Sequence, residues 1–298
     1  MSSKSNPRSV LITFVLLIAG VIGASCQPDT PFVTPCGAMP FQSIAVEHKG
    51  VDDVCGIDGV TSPGDVGNIQ QNAIKNNFCL KSDPVQLKPQ DLITLQKKVD
   101  ALQDFKFGSG RSVPKDRTPL HDIATFSGTS VGEGVLVQVV GYMVDPHYSD
   151  VKAGEGVNCK KHGNEPNDIH FSIASKWIEI DDSNSKAKQA QLCKLVTGEI
   201  SPHYRPETWE VSDLTQLERI PLRLTGQLFF DASHVPCRPG KPVNPARASV
   251  WEIHPIYAVD VCKSKNQCRV SVASDWIPLN EWAEAQHEQN VSEKDESQ

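Results

Sequence analysis

Three short segments each bring an acid close to a histidine: Asp168-Ile169-His170, Asp231-Ala232-Ser233-His234 and Glu252-Ile253-His254. In the first and third a single isoleucine intervenes. On a β-strand, where side chains alternate, the acid and imidazole then share one face about 7 Å apart, and the isoleucine turns to the other. Two kinds of chemistry suit such groups. His170, His234 and His254 could hold a divalent metal that activates water. Alternatively, one histidine could act as a general base, oriented by its acid, on a phosphoester or a glycan. The catalytic candidates are His170, His234, His254, Asp168, Asp231 and Glu252. Their spacing is not diagnostic, because nothing like the HExxH arrangement is present. A structural role competes with both: acid–histidine bonds across strands fix register, and buried polar groups need partners. From sequence alone the structural network is the favoured reading.

The neighbouring residues divide in the same way. In the segment Trp251–Cys262, alternation assigns Trp251, Ile253, Pro255, Tyr257, Val259 and Val261 to the core. It assigns Glu252, His254, Ile256, Ala258 and Asp260 to the polar side. Arg247 is within reach of these carboxylates, but reads more simply as a surface residue. His147, His162 and His203 fall in expected loops and read as exposed. Trp251 and Tyr257 read as core aromatics. A base-stacking platform would interleave them with cations, which are sparse here.

The elements that must position these groups are mostly strands. Gly134–Asp145, Asn167–Ser175 and Cys193–Ser201 read as the first three. Ser212–Ile220 reads as a short helix with Ser212 or Asp213 as cap. Pro221–Asp231 and the Trp251 segment complete five strands. The order β–β–β–α–β–β is that of a five-stranded Greek-key barrel, the OB-fold, here with long loops. Gly141 and Gly226, inside strands, suit bends or bulges. Before the barrel, Pro63–Leu80 predicts a helix with an apolar stripe of Val66, Ile69, Ala73, Ile74 and Phe78. Lys88–Phe105 predicts a second, striped by Leu92, Leu95, Val99 and Leu102. These helices form either a separate N-terminal unit or an elaboration packed on the sheet. Gly108–Arg117 reads as a linker. The fold class is therefore mainly β with N-terminal helices. The chain divides into a signal peptide (1–25), an irregular and helical segment (26–130), an OB-like barrel (131–275) and a polar tail (276–298).

The blocks GYMVDPHY, EGVNCKKHGNEPNDIHF, RLTGQLFFDASHV and ARASVWEIHPIYAVDVC lie between Gly134 and Cys262. Together they resemble uncharacterised exported bacterial proteins that carry an OB-like domain and similar ND-x-H, TG-x-L and WEIHP blocks. The resemblance implies the fold and brings no activity with it.

Bulk properties bound the function. The chain has 298 residues, 39% hydrophobic and 22% charged, with a formal net charge of −7. That supports a packed core and argues against nucleic acid as a partner, since a phosphate-binding surface needs clustered cations. Lys4 and Arg8 precede an uncharged apolar run, Val10–Ala24, and then small residues. This is the layout of a secretory signal, and the run is short for a membrane span. Cys26 follows at a lipoprotein-like site, so a lipid there is one reading and ordinary cleavage near Ser25 the other. Any membrane contact would run through that anchor. Lipidation of Cys26 would leave eight of the nine cysteines free to pair in an oxidising compartment. Cys262 and Cys268 are expected to bridge across a hairpin. These features predict an exported, periplasmic, envelope-bound or extracellular, disulfide-stabilised binding or structural module. Its ligand is unknown, and no cofactor is implied beyond a divalent metal. The alternative is a metal-dependent hydrolase of phosphodiesterase or nuclease type, with its acid–histidine pairs at the barrel rim.

Overall fold

The expected strand order is present, and it closes on itself. The computed structural model describes residues 55–56, 58–78, 80, 82–108, 113–206, 209–264 and 267–286. The apolar leader, Cys26, Cys36, Cys79 and the end of the polar tail lie outside the described residues. In chain order the elements begin with α1 (Val66–Lys75), β1 (Val85–Leu87), α2 (Pro89–Asp100), β2 (Ala124–Phe126), β3 (Thr129–Val131) and β4 (Leu136–Tyr148). They continue with β5 (Ile169–Ala174), α3 (Ser185–Leu192), β6 (Val196–Ile200), α4 (Val211–Leu214), β7 (Leu222–Phe230), β8 (Trp251–Cys262) and β9 (Trp276–Pro278). The order β4-β5-β6-β8-β7 returns to β4, which gives a closed five-stranded barrel of the OB type. β6 and β8 run parallel, and the other barrel pairs are antiparallel.

Closure depends on β4 serving two partners in turn. Leu136–Gly141 pair with β7, and from Tyr142 onward the strand pairs with β5. Gly141 sits at this switch, where a Cβ would lie 2.7 Å from Ile173 Cγ2 and 2.9 Å from the Ala174 carbonyl oxygen. The bend therefore needs glycine. β5 alternates as expected, with Ile169, Phe171 and Ile173 in the barrel core.

β8 departs from simple alternation. Ile253 pairs with Leu228, but Ile256 pairs with Gly226, so two residues of β8 face Gln227 alone. This bulge turns Ile256 into the core, although alternation assigned it to the polar side. Tyr257 is only half-buried for the same reason, and its hydroxyl donates to the Asn77 carbonyl at 2.5 Å. Gly226 admits the bulge, because a Cβ there would meet the Pro255 carbonyl oxygen at 2.5 Å.

The N-terminal segment is an elaboration of the barrel. Leu92, Leu95 and Val99 of α2 and Leu87 of β1 join one apolar core with barrel residues such as Val137, Ile253 and Leu222. β1 also adds to β4 in parallel. The short helix after β6 is capped by Glu210, two residues before Ser212, the earlier of the expected caps, with Asp213 accepting from the Glu210 amide. It buries Leu214 against the barrel core.

Among the described residues three disulfides join Cys55 to Cys159, Cys193 to Cys237 and Cys262 to Cys268. The last bridge is the expected one, but the strand that pairs antiparallel with β8 is β9, further along the chain than the segment starting at Cys268. The edge of β8 at Asp260–Cys262 is taken by β9, so Arg269–Val272 is not a strand. Among the described residues no helix is long and apolar enough to cross a membrane.

Candidate functional site

Strand pairing places four titratable side chains in one row across the outer face of the barrel. His147 on β4 is the register partner of His170 on β5, and His170 is the partner of Glu199 on β6. Parallel pairing of β6 with β8 sets Glu199 beside His254, whose Nδ1 lies 2.5 Å from Glu199 Oε2. His170 Nε2 stands 3.4 Å from Glu199 Oε1 and 3.5 Å from Glu155 Oε1. Burial alone would raise the Glu199 carboxyl, but His170, Lys75 and His254 hold it well below the usual range. Burial opposes charge on His170, yet Glu199 and Glu155 outweigh it and raise its pKa. His254 goes the other way, because burial outweighs the pull of Glu199.

A second group comes from the β7–β8 loop (231–250) and β8. His234 Nδ1 bonds Asp231 Oδ2, and Arg247 Nη1 bonds Glu252 Oε1 and approaches Asp231 Oδ2 at 3.6 Å. Arg247 is buried, so pairing overrides its expected surface position. Burial works against the Asp231 charge, but His234, Lys75 and Arg247 hold its carboxyl far below the ordinary range.

Helix α1 covers this polar face with a polar face of its own. Gln70, Gln71 and Asn72 are buried, whereas Val66 and Ile69 of the expected stripe are half-buried. Gln71 reaches Asp231 Oδ1 at 3.4 Å and accepts from the Ala232 amide at 3.0 Å. Lys75 Nζ lies 3.8 Å from Glu199 Oε2 and 5.5 Å from the Phe229 ring centroid. Just past the helix, Asn77 donates to Gln227 Oε1 at 2.6 Å. Arg117, at the end of the expected linker, is buried as well. Its Nε donates to Glu133 Oε2 at 2.7 Å, and Glu133 accepts from the Phe230 amide at 3.0 Å.

The β4–β5 loop (149–168) adds Glu155 and Asp168. Ser149 Oγ donates to Glu155 Oε1, and Asn158 Nδ2 donates to Asp168 Oδ1 at 3.1 Å. Burial and the nearby Glu155 charge push Asp168 well above the usual carboxylate range. Burial would raise Glu155 too, but His170 and Lys75 lower it. All these elements meet around an open cleft of about 720 Å³ lined by Lys75, His147, Glu155, His170, Glu199, Asp231, His234 and Arg247 among others. His147, His170 and Arg247 also border an adjoining cleft of about 650 Å³ over β5, β6 and α3.

The three expected acid–histidine couples thus resolve differently. Asp231 and His234 do pair. Asp168 and His170 do not: the acid turns to Asn158 and the imidazole towards Glu155 and Glu199. Glu252 and His254 share the outer face but take separate partners, Arg247 and Glu199. His170 and His234 line the cleft, whereas His254 is buried behind it. Among the described residues, the acid and imidazole groups close enough to share one ion are Glu155–Asp168–His170 and Asp168–Glu199–His254. His234 is in neither, so the three histidines are not one ligand set. His147 is exposed as expected but lies on strand β4, His203 is buried against Phe78, and His162 is exposed as expected. Sequence reasoning missed Lys75, Gln71, Glu155 and Glu199. One usable signal existed: the run NIQQNAIKNN is rich in amides and carries a single charge, which suits a helix packed on polar groups.

No family model, curated protein or solved structure matches this chain.

Proposed function

We propose that the protein is an exported binding module that takes an uncharged polar ligand, of saccharide type, on the β5–β6 face. One observation carries this reading. Side chains from α1 and from both long barrel loops converge on that face around one open cleft. In OB barrels generally, this face and these two loops are where oligosaccharides and oligonucleotides seat, an argument from fold analogy. Concentrating buried charges in this way adds little to stability, which favours a role in recognition. The cleft carries both signs, Lys75 and Arg247 beside Glu155, Glu199 and Asp231, so hydroxyl groups find donors and acceptors. A polyphosphate would meet the acids, and the net charge of −7 adds to that repulsion. Three disulfides fit an oxidising compartment, and the apolar leader supplies the route for export.

The test is NMR of the imidazole rings during titration with neutral oligosaccharides and with a single-stranded oligonucleotide. The saccharides should shift His147, His170 and His234, and His234→Ala with Lys75→Met should abolish the response. Oligonucleotide binding that weakens steeply with salt, with no saccharide response, would overturn the proposal. Deleting Val10–Ala24 should retain the protein in the cytoplasm; unchanged export would remove that part of the reading.

Hydrolysis is the second reading, favoured by the opposite shifts of Glu155 and Asp168, which separate a base from an acid. It ranks lower because Asp168 is fully buried and does not line the cleft. Turnover of a phosphodiester or glycoside that Glu155→Gln abolishes would establish it over binding alone.

A further inference from the structure

We infer that Glu155, Asp168 and His170 form a binding site for a first-row divalent cation such as Zn²⁺ or Mn²⁺. Each offers a ligand atom, and these atoms lie within 4.8 Å of one another. The independent observation is an unmet bonding need in the same place. Asp168 is fully buried, yet its Oδ2 accepts no hydrogen bond. Glu155 Oε2 and His170 Nε2 are likewise buried atoms without a hydrogen-bond partner. Buried carboxylate oxygens seldom go unmatched, and two of them side by side are acceptors with no donor between them. His170 and Lys75 offset part of this charge, and the two unmatched oxygens call for either a bound cation or a proton shared by the two acids.

The surroundings favour the cation. Asn158 Nδ2 holds the other Asp168 oxygen at 3.1 Å, and Ser149 Oγ holds Glu155 Oε1, the kind of outer bond that orients metal-ligating carboxylates. Cys159, next to Asn158, is tied to Cys55, which fixes the loop that carries Glu155. Glu155 and His170 line the cleft while Asp168 lies behind it, so a cation held by all three is approachable from the cleft. Three protein ligands leave a position for water or a ligand hydroxyl. The imidazole selects a first-row transition ion or zinc over calcium, which prefers an all-oxygen shell. This inference deepens the proposed ligand site, but its test uses the metal alone, so either can fail without the other.

Protein purified without chelator would be assayed for bound metal, then stripped and titrated with Zn²⁺, Mn²⁺ and Ca²⁺ by calorimetry and thermal unfolding. Near-stoichiometric Zn²⁺ or Mn²⁺, with a melting midpoint that rises with the logarithm of free metal, is the expected result. Asp168→Asn and His170→Ala should abolish it. Asn158→Ala, which removes no metal ligand and acts only through its bond to Asp168, should weaken it about 10–100-fold and keeps the test informative if either ligand variant fails to fold. Absence of binding, or binding unchanged in Asn158→Ala and Asp168→Asn, would overturn the inference in favour of the shared proton. Preference for Ca²⁺ would overturn the ligand set by removing His170.

Discussion

Helices α1 and α2 flank the same barrel and are built on opposite principles. α2 presents Leu92, Leu95 and Val99, which enter the apolar core. α1 buries Gln70, Gln71 and Asn72, sets Gln71 against Asp231 and sends Lys75 towards Glu199. Burial of leucine drives association without direction, whereas an amide at an interface is worth little unless its partner is correctly placed. The first helix therefore stabilises the fold weakly for the area it covers and specifies the position of charged groups strongly. The second does the reverse.

Mutations should separate these roles. The largest effect is expected from Leu95→Ala, a cavity in the shared core that should cost about 2–5 kcal/mol in urea unfolding. The imidazole signals of the folded protein should be unchanged. Next comes the paired Cys55→Ser and Cys159→Ser variant. Removing a cross-link of 104 residues' separation should cost about 2–4 kcal/mol and speed amide exchange in α1 more than in α2. Equal acceleration in both helices would break the distinction drawn here.

Acid should act through the face beneath α1. Asp231, facing His234, Lys75 and Arg247, has a folded-state pKa below its unfolded value. Its contribution to stability is complete above the unfolded pKa of about 4 and is lost as pH falls towards the folded value. Unfolding midpoints should drop below about pH 4, and Asp231→Asn should flatten that dependence while lowering stability at neutral pH. The smallest effect is expected at the start of α1, where Asp65 caps the Asn68 amide at 3.4 Å. Asp65→Ala should cost about 0.5–2 kcal/mol by thermal unfolding. A loss as large as that of Leu95→Ala would mean that α1 carries the fold after all.

What could be read from the sequence follows the same division. Apolar periodicity is a local property, so α2, the inward row of β5 and the strand order were all legible. So were the bends, because glycine inside a strand has few other uses. The polar side was legible in part. That Asp168, His170, Glu252 and His254 face outward from the barrel core follows from alternation, but their partners do not. Glu199 meets His170 and His254 through long-range register, and Arg117 and Arg247 are buried because loops turn them onto Glu133 and Glu252. The bulge at His254–Pro255 marks the point where alternation ceases to apply, and Ile256 was misplaced there. Composition alone could not show that α1 buries its amides, since the partners of Gln71, Asp231 and the Ala232 amide, come more than a hundred residues later.

The row of His147, His170, Glu199 and His254 is held by backbone pairing across four strands and owes nothing to the loops above it. Homologous chains could exchange the loops around residues 149–168 and 231–250, and with them the choice of guest, while keeping this ladder of proton-carrying groups intact. Sliding β6 by one residue would instead put Gly198 or Ile200 in the place of Glu199 and erase it at a stroke.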